Sequence, residues 1–428
     1  MELLREFFSF SDPSINAVVL GSILITASAA VVGCFTFLKK KALVGDAVAH
    51  AVLPGICLSF IVQGSKNPFL LLIGAFITGW LSLTVIDLIT KKSKIKEDTS
   101  IALVLSIAFG VGILLLTYIQ HTGNAAQSGL QSFLFGQAAA LVGRDLILFT
   151  TVAIVLLLTV VLFFKELKII SFDERYAESI GLPVRGLNLL LTSLTVLAVV
   201  TGIQAVGVVL MAAILITPAA AARFWTNKLV VMTLLAALFG AFSGLAGSFV
   251  SYAAPQMPTG PWIVMVISVI ALASFFFAPQ KGIISKYLSQ SRLRASILEE
   301  NLLKEMYHLK ERSKDQKDGI ALDMLRVQRQ FPNQHLLPAM KRLQQMKHLR
   351  EVDGQWQLTA SGYDKGKRIV KLHRLWELYL STYLKIAPDH VHEDAETIEH
   401  IITPELESRL EKLLNYPSKD PHDSTIPY

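Results

Sequence analysis

LVGDAVAHAVLPGICLSFIVQG, residues 43–64, is apolar enough and long enough to cross a bilayer, yet it carries two ionisable side chains, Asp46 and His50. At positions i and i+4 of a helix, the two project from one face about one turn apart. A carboxylate and an imidazole turned toward lipid are expensive, so such a pair faces a pore or a neighbouring helix. Together they offer oxygen and nitrogen to a divalent transition ion such as manganese, zinc or ferrous iron. The same pair also suits a plainer role, a buried hydrogen bond that locks two helices. The stretch alone leaves both readings open.

Outward from this run, apolar segments fill residues 15–280, while the last part of the chain has the charge density of a soluble domain. The 428 residues are 52% hydrophobic with a mean hydropathy of +0.50. Candidate spans are 15–38, 44–63, 68–90, 100–119, 143–164, 186–203, 205–223, 229–252 and 259–277, each near the ~20 residues that cross hydrocarbon. Lys39, Lys40 and Lys41, Lys91, Lys92, Lys94 and Lys96, Lys165, Lys168, Arg175 and Arg185, and Arg223 and Lys228 fall on one side of these spans. Only Arg5, Lys66 and Arg144 fall on the other. By the positive-inside rule the N-terminus is outside and the C-terminal region cytoplasmic. The net charge of +7 is partly this asymmetry and is poor evidence for nucleic-acid binding. Cys34 and Cys57 lie in apolar segments, which argues against a disulfide framework or a thiolate metal site. The opening MELLREFFSFSDPS lacks signal-peptide features and reads as an interfacial amphipathic helix.

After the fifth span, ISFDERYAESIGLPVRGLNLLL (170–191) reads as a short charged helix with Asp173 near its N-terminus and Ala177 and Gly181 four apart. A carboxylate at that end is favoured by the helix dipole. Small residues at that spacing leave a flat face for another protein, or mark an ordinary linker helix. GDAVAHAVLPG, SFLFGQ (132–137), FDERYAESIGLP and GVVLMAAILITPAAAA (207–222), in that order, resemble the permeases of bacterial metal-ion ABC importers over residues 10–285. The resemblance implies that Asp173, Ala177 and Gly181, with Glu174 and Glu178 as charged neighbours, dock into an ABC ATPase subunit. It implies that Asp46 and His50 line the ion path, and that Pro218 either bends the pathway helix or is a packing kink. The chain has no GxxxxGK[ST] phosphate cradle, so the energy source is a separate ATPase. The substrate is expected from an extracytoplasmic metal-binding protein, and a second permease copy, like or unlike, completes the pore in the bacterial inner membrane.

Residues 281–318 read as a helical stalk. Residues 319–371 read helix, turn, helix, hairpin and helix, the outline of a winged helix, with Asp353-Gly354 at the hairpin turn. Residues 372–428 carry acid–histidine sets at ligand spacing: His373 with Glu377, His392 with Glu396, and Glu396, Glu399 and His400 on one helical face. Two carboxylates and an imidazole without a thiolate suit manganese or ferrous iron better than copper. Any one such pair is commonly just a solvated face.

KLHRLWELYL, VHEDAETIEH, PELESRLEKLL and the final DPHDSTIP resemble the metal-binding and dimerisation domain of the diphtheria toxin repressor family. The resemblance implies one site from His373, Glu377 and His392 and a second from Glu396, Glu399 and His400. The position of Glu396 is cysteine in iron-responsive members and glutamate in manganese-responsive ones, which leans this chain toward manganese. Aligning EENLLKEMYHL (299–309) on the family's first helix puts Asn301 and Lys304 where manganese-type members have acidic residues, which leaves the second site incomplete. Pro338 lies close to the base-reading positions of the expected recognition helix, where Lys341, Arg342, Lys347 and Arg350 can meet phosphates but confer little sequence preference.

The expected architecture is therefore an all-α membrane domain of about nine spans (1–280), a stalk, a winged helix and a helical metal-binding and dimerisation domain. The leading expectation is a transporter permease, not an enzyme, whose cytoplasmic tail senses the transported manganese, iron or zinc. The alternatives are a membrane-tethered or released metal-dependent repressor that binds DNA, and a tail that only dimerises the permease.

Overall fold

The computed structural model describes residues 7, 9, 12–64, 67–121, 143–254, 257–312, 319–321, 324–325, 333–386 and 402–428. They form two compact units, Met1–Lys286 and Tyr287–Tyr428.

Every element of regular structure among the described residues of the first unit is a helix. Its helices are α1 (Pro13–Leu38), α2 (Val44–Ala51), α3 (Leu53–Gln63), α4 (Pro68–Lys92), α5 (Glu97–His121), α6 (Gly143–Leu162), α7 (Phe164–Phe172), α8 (Glu174–Ser179), α9 (Val184–Val206), α10 (Val208–Trp225), α11 (Leu229–Ala253) and α12 (Thr259–Phe277). Eight helical segments, with α2 and α3 taken together, are long and apolar enough to cross a membrane, and Leu210–Trp225 is a shorter apolar helix. These correspond to the nine expected spans. The most apolar windows of α1 and of α2–α3 are 72% buried and that of α9 is 67% buried, against 22% to 39% for the remaining long helices. Helices α1, α2, α3 and α9 thus form the centre. The outer helices turn Leu81, Leu114, Leu158, Val161, Leu234 and Leu272 outward, as lipid requires.

Starts and stops follow local chemistry. Asp12 caps α1 by accepting from the Ser14 amide at 2.8 Å, and Asn67 caps α4 by accepting from Phe69 at 3.1 Å. Proline stands in the first turn of both helices, where its missing N–H costs nothing. The opening segment contributes Phe7, buried between Phe249 and Tyr252 of α11.

The second span is interrupted at one point. Val52 separates α2 from α3, and Pro54 lies in the first turn of α3. Pro54 has no N–H to give the carbonyl four residues back, which is that of His50.

In the second unit, the second half of α13 (Ile283–Arg312) buries Leu302, Leu303 and Met306 in one core with Leu336, Met340 and Leu343 of α14 (Asn333–Gln345). The stretch read as a stalk is therefore, from Leu298 onward, part of the tail's own core. Strands β1 (Leu349–Val352) and β2 (Gln355–Leu358) pair antiparallel with Leu349 opposite Leu358. Asp353 and Gly354 turn the hairpin at φ 50° and 72°, the two-residue connection expected of Asp-Gly. Helix α15 (Ala360–Tyr383) passes so close to α13 that a side chain at Gly366 would meet the Leu303 carbonyl. Helix α16 (Pro404–Leu413) packs on α15 through Leu410 against Leu375. Pro338 lies inside α14 and removes the bond to the Gln334 carbonyl.

Candidate functional site

Asp46 and His50 both sit on α2, and the described geometry brings them together. His50 Nε2 lies 3.5 Å from Asp46 Oδ1, with the two side chains 22% and 43% exposed. The ring of His50 stands edge-on to Phe109 of α5 with centroids 5.1 Å apart. Its Nδ1 is buried and has no hydrogen-bond partner among the described residues. Helix α2 packs on α4, α5, α9 and α10. A side chain at Gly45 would press on Ala212 and Leu215 of α10, so α2 lies close against that helix just before Asp46. Pro54 leaves the His50 carbonyl without its usual i+4 donor. The carboxylate and imidazole on one face suit a hard to borderline divalent ion. No group of three or more His, Cys, Asp or Glu that could hold a metal occurs among the described residues.

At the lysine-rich end of α1 a cavity of about 230 Å³ is lined by Lys39, Lys41, Asp87, Glu97, Glu174 and Asn188, among others. Neither Asp46 nor His50 lines it. Lys39 Nζ meets Glu174 Oε1 at 2.5 Å and also bonds Asn188. Lys41 Nζ lies 3.1 Å from Asp87 and 3.7 Å from Glu97. Burial pushes the Glu174 carboxyl up, but the Lys39 hydrogen bond and charge outweigh it and hold it below the usual range. Reading the three lysines only as loop charge misses these pairs. Their partners are 46 to 149 residues away, and nothing local signals them.

The FDERYAESIGLP stretch forms the one-and-a-half-turn helix α8. Asp173 is its N-cap, accepting from the Tyr176 amide at 3.0 Å. At the other end Leu182 donates to the Ala177 carbonyl and Gly181 to the Glu178 carbonyl, both at 3.0 Å. This paired closure is a Schellman motif, and it requires the φ of +81° found at Gly181. A side chain added there would meet open space. Ala177 is fully buried, so its methyl belongs to the packing beneath α8 and not to the outward face expected of it. That face is Glu174, Arg175, Tyr176, Glu178 and Ile180.

In the tail, His373 and Glu377 come together on α15, Nε2 to Oε1 at 3.0 Å, and both are buried. His392, Glu396, Glu399 and His400 lie outside the described residues, as does SFLFGQ. Lys304, expected beside the second ligand set, instead meets His373 of the first: its Nζ is 2.9 Å from Nδ1. With both ring nitrogens so engaged and an ammonium alongside, His373 and Glu377 do not fit a divalent ion in this arrangement. His308, on the same helix as Lys304, lies 3.4 Å from Glu311, which pairs with Arg374 at 2.9 Å. Burial first, then the Arg374 charge, lowers His308 to about 4. The Arg374 hydrogen bond holds Glu311 low as well.

Residues 11–278 match the model of the ABC 3 transport family. Residues 359–428 match that of the iron dependent repressor, metal binding and dimerisation domain. The chain is 41% identical over 382 residues to the manganese transport system membrane protein MntC of Bacillus subtilis, covering 89% of this chain and 87% of that one. It is 43% identical over 291 residues to the zinc transport system membrane protein TroC of Treponema pallidum, covering 68% and 97%. Among solved structures, PsaBC from Streptococcus pneumoniae in complex with Fab matches with a TM-score of 0.60 at 35% identity, covering 67% of this chain and 99% of that one. An intramembrane carboxylate–imidazole pair on an interrupted span, the helical unit around it and these likenesses lead to one assignment: the chain is a multi-pass membrane protein of the ABC 3 transport family that carries a C-terminal metal-binding and dimerisation domain of the iron dependent repressor type.

Proposed function

We propose that the chain is the permease subunit of an importer for divalent transition ions, manganese first, with zinc and iron as the other candidates. The observation that carries this is the Asp46–His50 pair, 3.5 Å apart on a central helix just before Pro54. The carboxylate supplies charge and the imidazole nitrogen supplies the borderline ligand that transition ions prefer. Two side chains hold an ion weakly enough for it to pass on. Manganese is placed first because the relative named for manganese transport is similar across 89% of the chain and because Glu396 stands at its position in the tail.

ATP hydrolysis belongs to a separate ATPase subunit, which meets Tyr176, Glu178 and Ile180 on α8, the surface that Asp173 and Gly181 hold in shape. An extracytoplasmic binding protein delivers the ion, and a second permease copy completes the pore. The positive-inside bias of the loops puts α8 and the tail on the cytoplasmic side. There the tail regulates transport as the cytoplasmic ion rises, through His392, Glu396, Glu399 and His400.

Ion uptake tests the pathway. Asp46→Ala and His50→Ala should each lower manganese uptake by ~10-fold or more, with the complex still assembled by size-exclusion chromatography. Normal uptake by the double variant would leave the pair a structural hydrogen bond.

A further inference from the structure

A lysine buried against metal-type ligands calls for an account. Lys304 on α13 is 3% exposed, and its ammonium lies 2.9 Å from Nδ1 of His373, itself 4% exposed. An ammonium has three donors and no acceptor, so the ring nitrogen it touches is the acceptor. The proton of the neutral ring then sits on Nε2, where it is donated to Oε1 of Glu377 at 3.0 Å; that residue is 2% exposed. Ammonium, imidazole and carboxylate form a chain with a positive charge at one end and a negative charge at the other. Each buried charge thereby has a partner, which burial demands.

A divalent ion on this pair needs the opposite ring form. Metal on Nε2 leaves the ring proton on Nδ1, and Nδ1–H then faces the ammonium, donor against donor. The ion and the ammonium would also stand on two sides of one imidazole as buried like charges. Asn301, one turn before Lys304 on the same helix, offers a buried amide oxygen with no hydrogen-bond partner among the described residues, not a compensating carboxylate.

We propose that Lys304 is a tethered cation in the place of a metal ion. The ammonium joins α13 to α15 through His373 and Glu377, and this position takes no divalent ion. The inference stands apart from which ion the membrane unit carries and from whether the tail regulates transport.

The test uses the full chain in detergent, with manganese chloride or with EDTA, followed by hydrogen exchange of peptides covering residues 366–383. The expected result is equal protection of α15 in both conditions. Lys304→Glu, which turns the ammonium into a carboxylate, should gain manganese-dependent protection in the same peptides and bind an additional manganese ion by equilibrium dialysis. Lys304→Met should lose protection there with and without manganese. Manganese-dependent protection of α15 in the wild-type chain would overturn the proposal whether or not the variants fold. Unchanged protection in Lys304→Met would overturn it as well.

Discussion

Lys39 reaches Glu174 with only a tenth of its side chain exposed, so the end of α1 is tied directly to the first residue of α8. Glu174 is half exposed, and solvent screens the pair; its role is to set geometry more than to add stability. Lys39→Met and Glu174→Gln should each loosen the same link, so the double variant should be no worse than either single one in ATPase-coupled uptake. Equal and independent losses would mean that the two residues act separately. His308 gives a pH signature in the tail. Its folded value of about 4 lies below the ordinary 6.5, so the unfolded chain takes up a proton first as pH falls. Tail stability should therefore be full above 6.5 and erode toward 4. Hydrogen exchange of tail peptides across that range should show the loss, and His308→Gln should flatten it. Asp46 and His50 were legible from the sequence because an i, i+4 pair is local. The Lys39–Glu174 contact spans 135 residues, and only the packing of the helices brings it about.

Breaks and caps decide what the elements do. Pro54 leaves one gap in the helical ladder just beyond His50. The ladder resumes with Ile56 donating to the Val52 carbonyl at 3.1 Å, and Pro54→Ala would restore an N–H for the His50 carbonyl. That variant should give a firmer helix and lower manganese uptake, measured in the same cells as the Asp46 and His50 variants; unchanged uptake would remove the break from the mechanism. A hydropathy reading passes over this feature because proline does not interrupt an apolar run. Helix α8 shows the converse. Its existence, its acidic start and its glycine were all legible, but the roles of its small residues were not. Gly181→Ala should cost ~1–2 kcal/mol locally by forcing a left-handed backbone on a residue with a Cβ. Ala177→Leu should cost ~1–3 kcal/mol by overpacking. Both should raise hydrogen exchange over 174–183 before any ATPase partner is added. The DG hairpin needed no correction, since its turn chemistry is carried by two adjacent residues.

At the scale of the whole molecule, the chain divides at Lys286 and Tyr287, inside α13. The division into an apolar and a charged part was legible from composition. That the charged helix belongs to the tail's core was not, because Leu302, Leu303 and Met306 are spaced like any amphipathic face and their partners on α14 come later in the chain. A chain ending at Lys286 should still import manganese and should lose any slowing of uptake as cytoplasmic manganese rises, followed by radioactive manganese accumulation over time. Slowing that persists in the shortened chain would take regulation away from the tail.

The ammonium of Lys304 also bears on scarcity. A clasp formed by a dissociable ion falls open when that ion runs short, and shortage is the condition in which a cell most depends on its importer. A side chain cannot be diluted: its charge stands beside His373 at the same effective concentration in a starved cell as in a replete one. The scaffold of the tail would then hold through famine, leaving only the ligand set around Glu399 and His400 to register plenty.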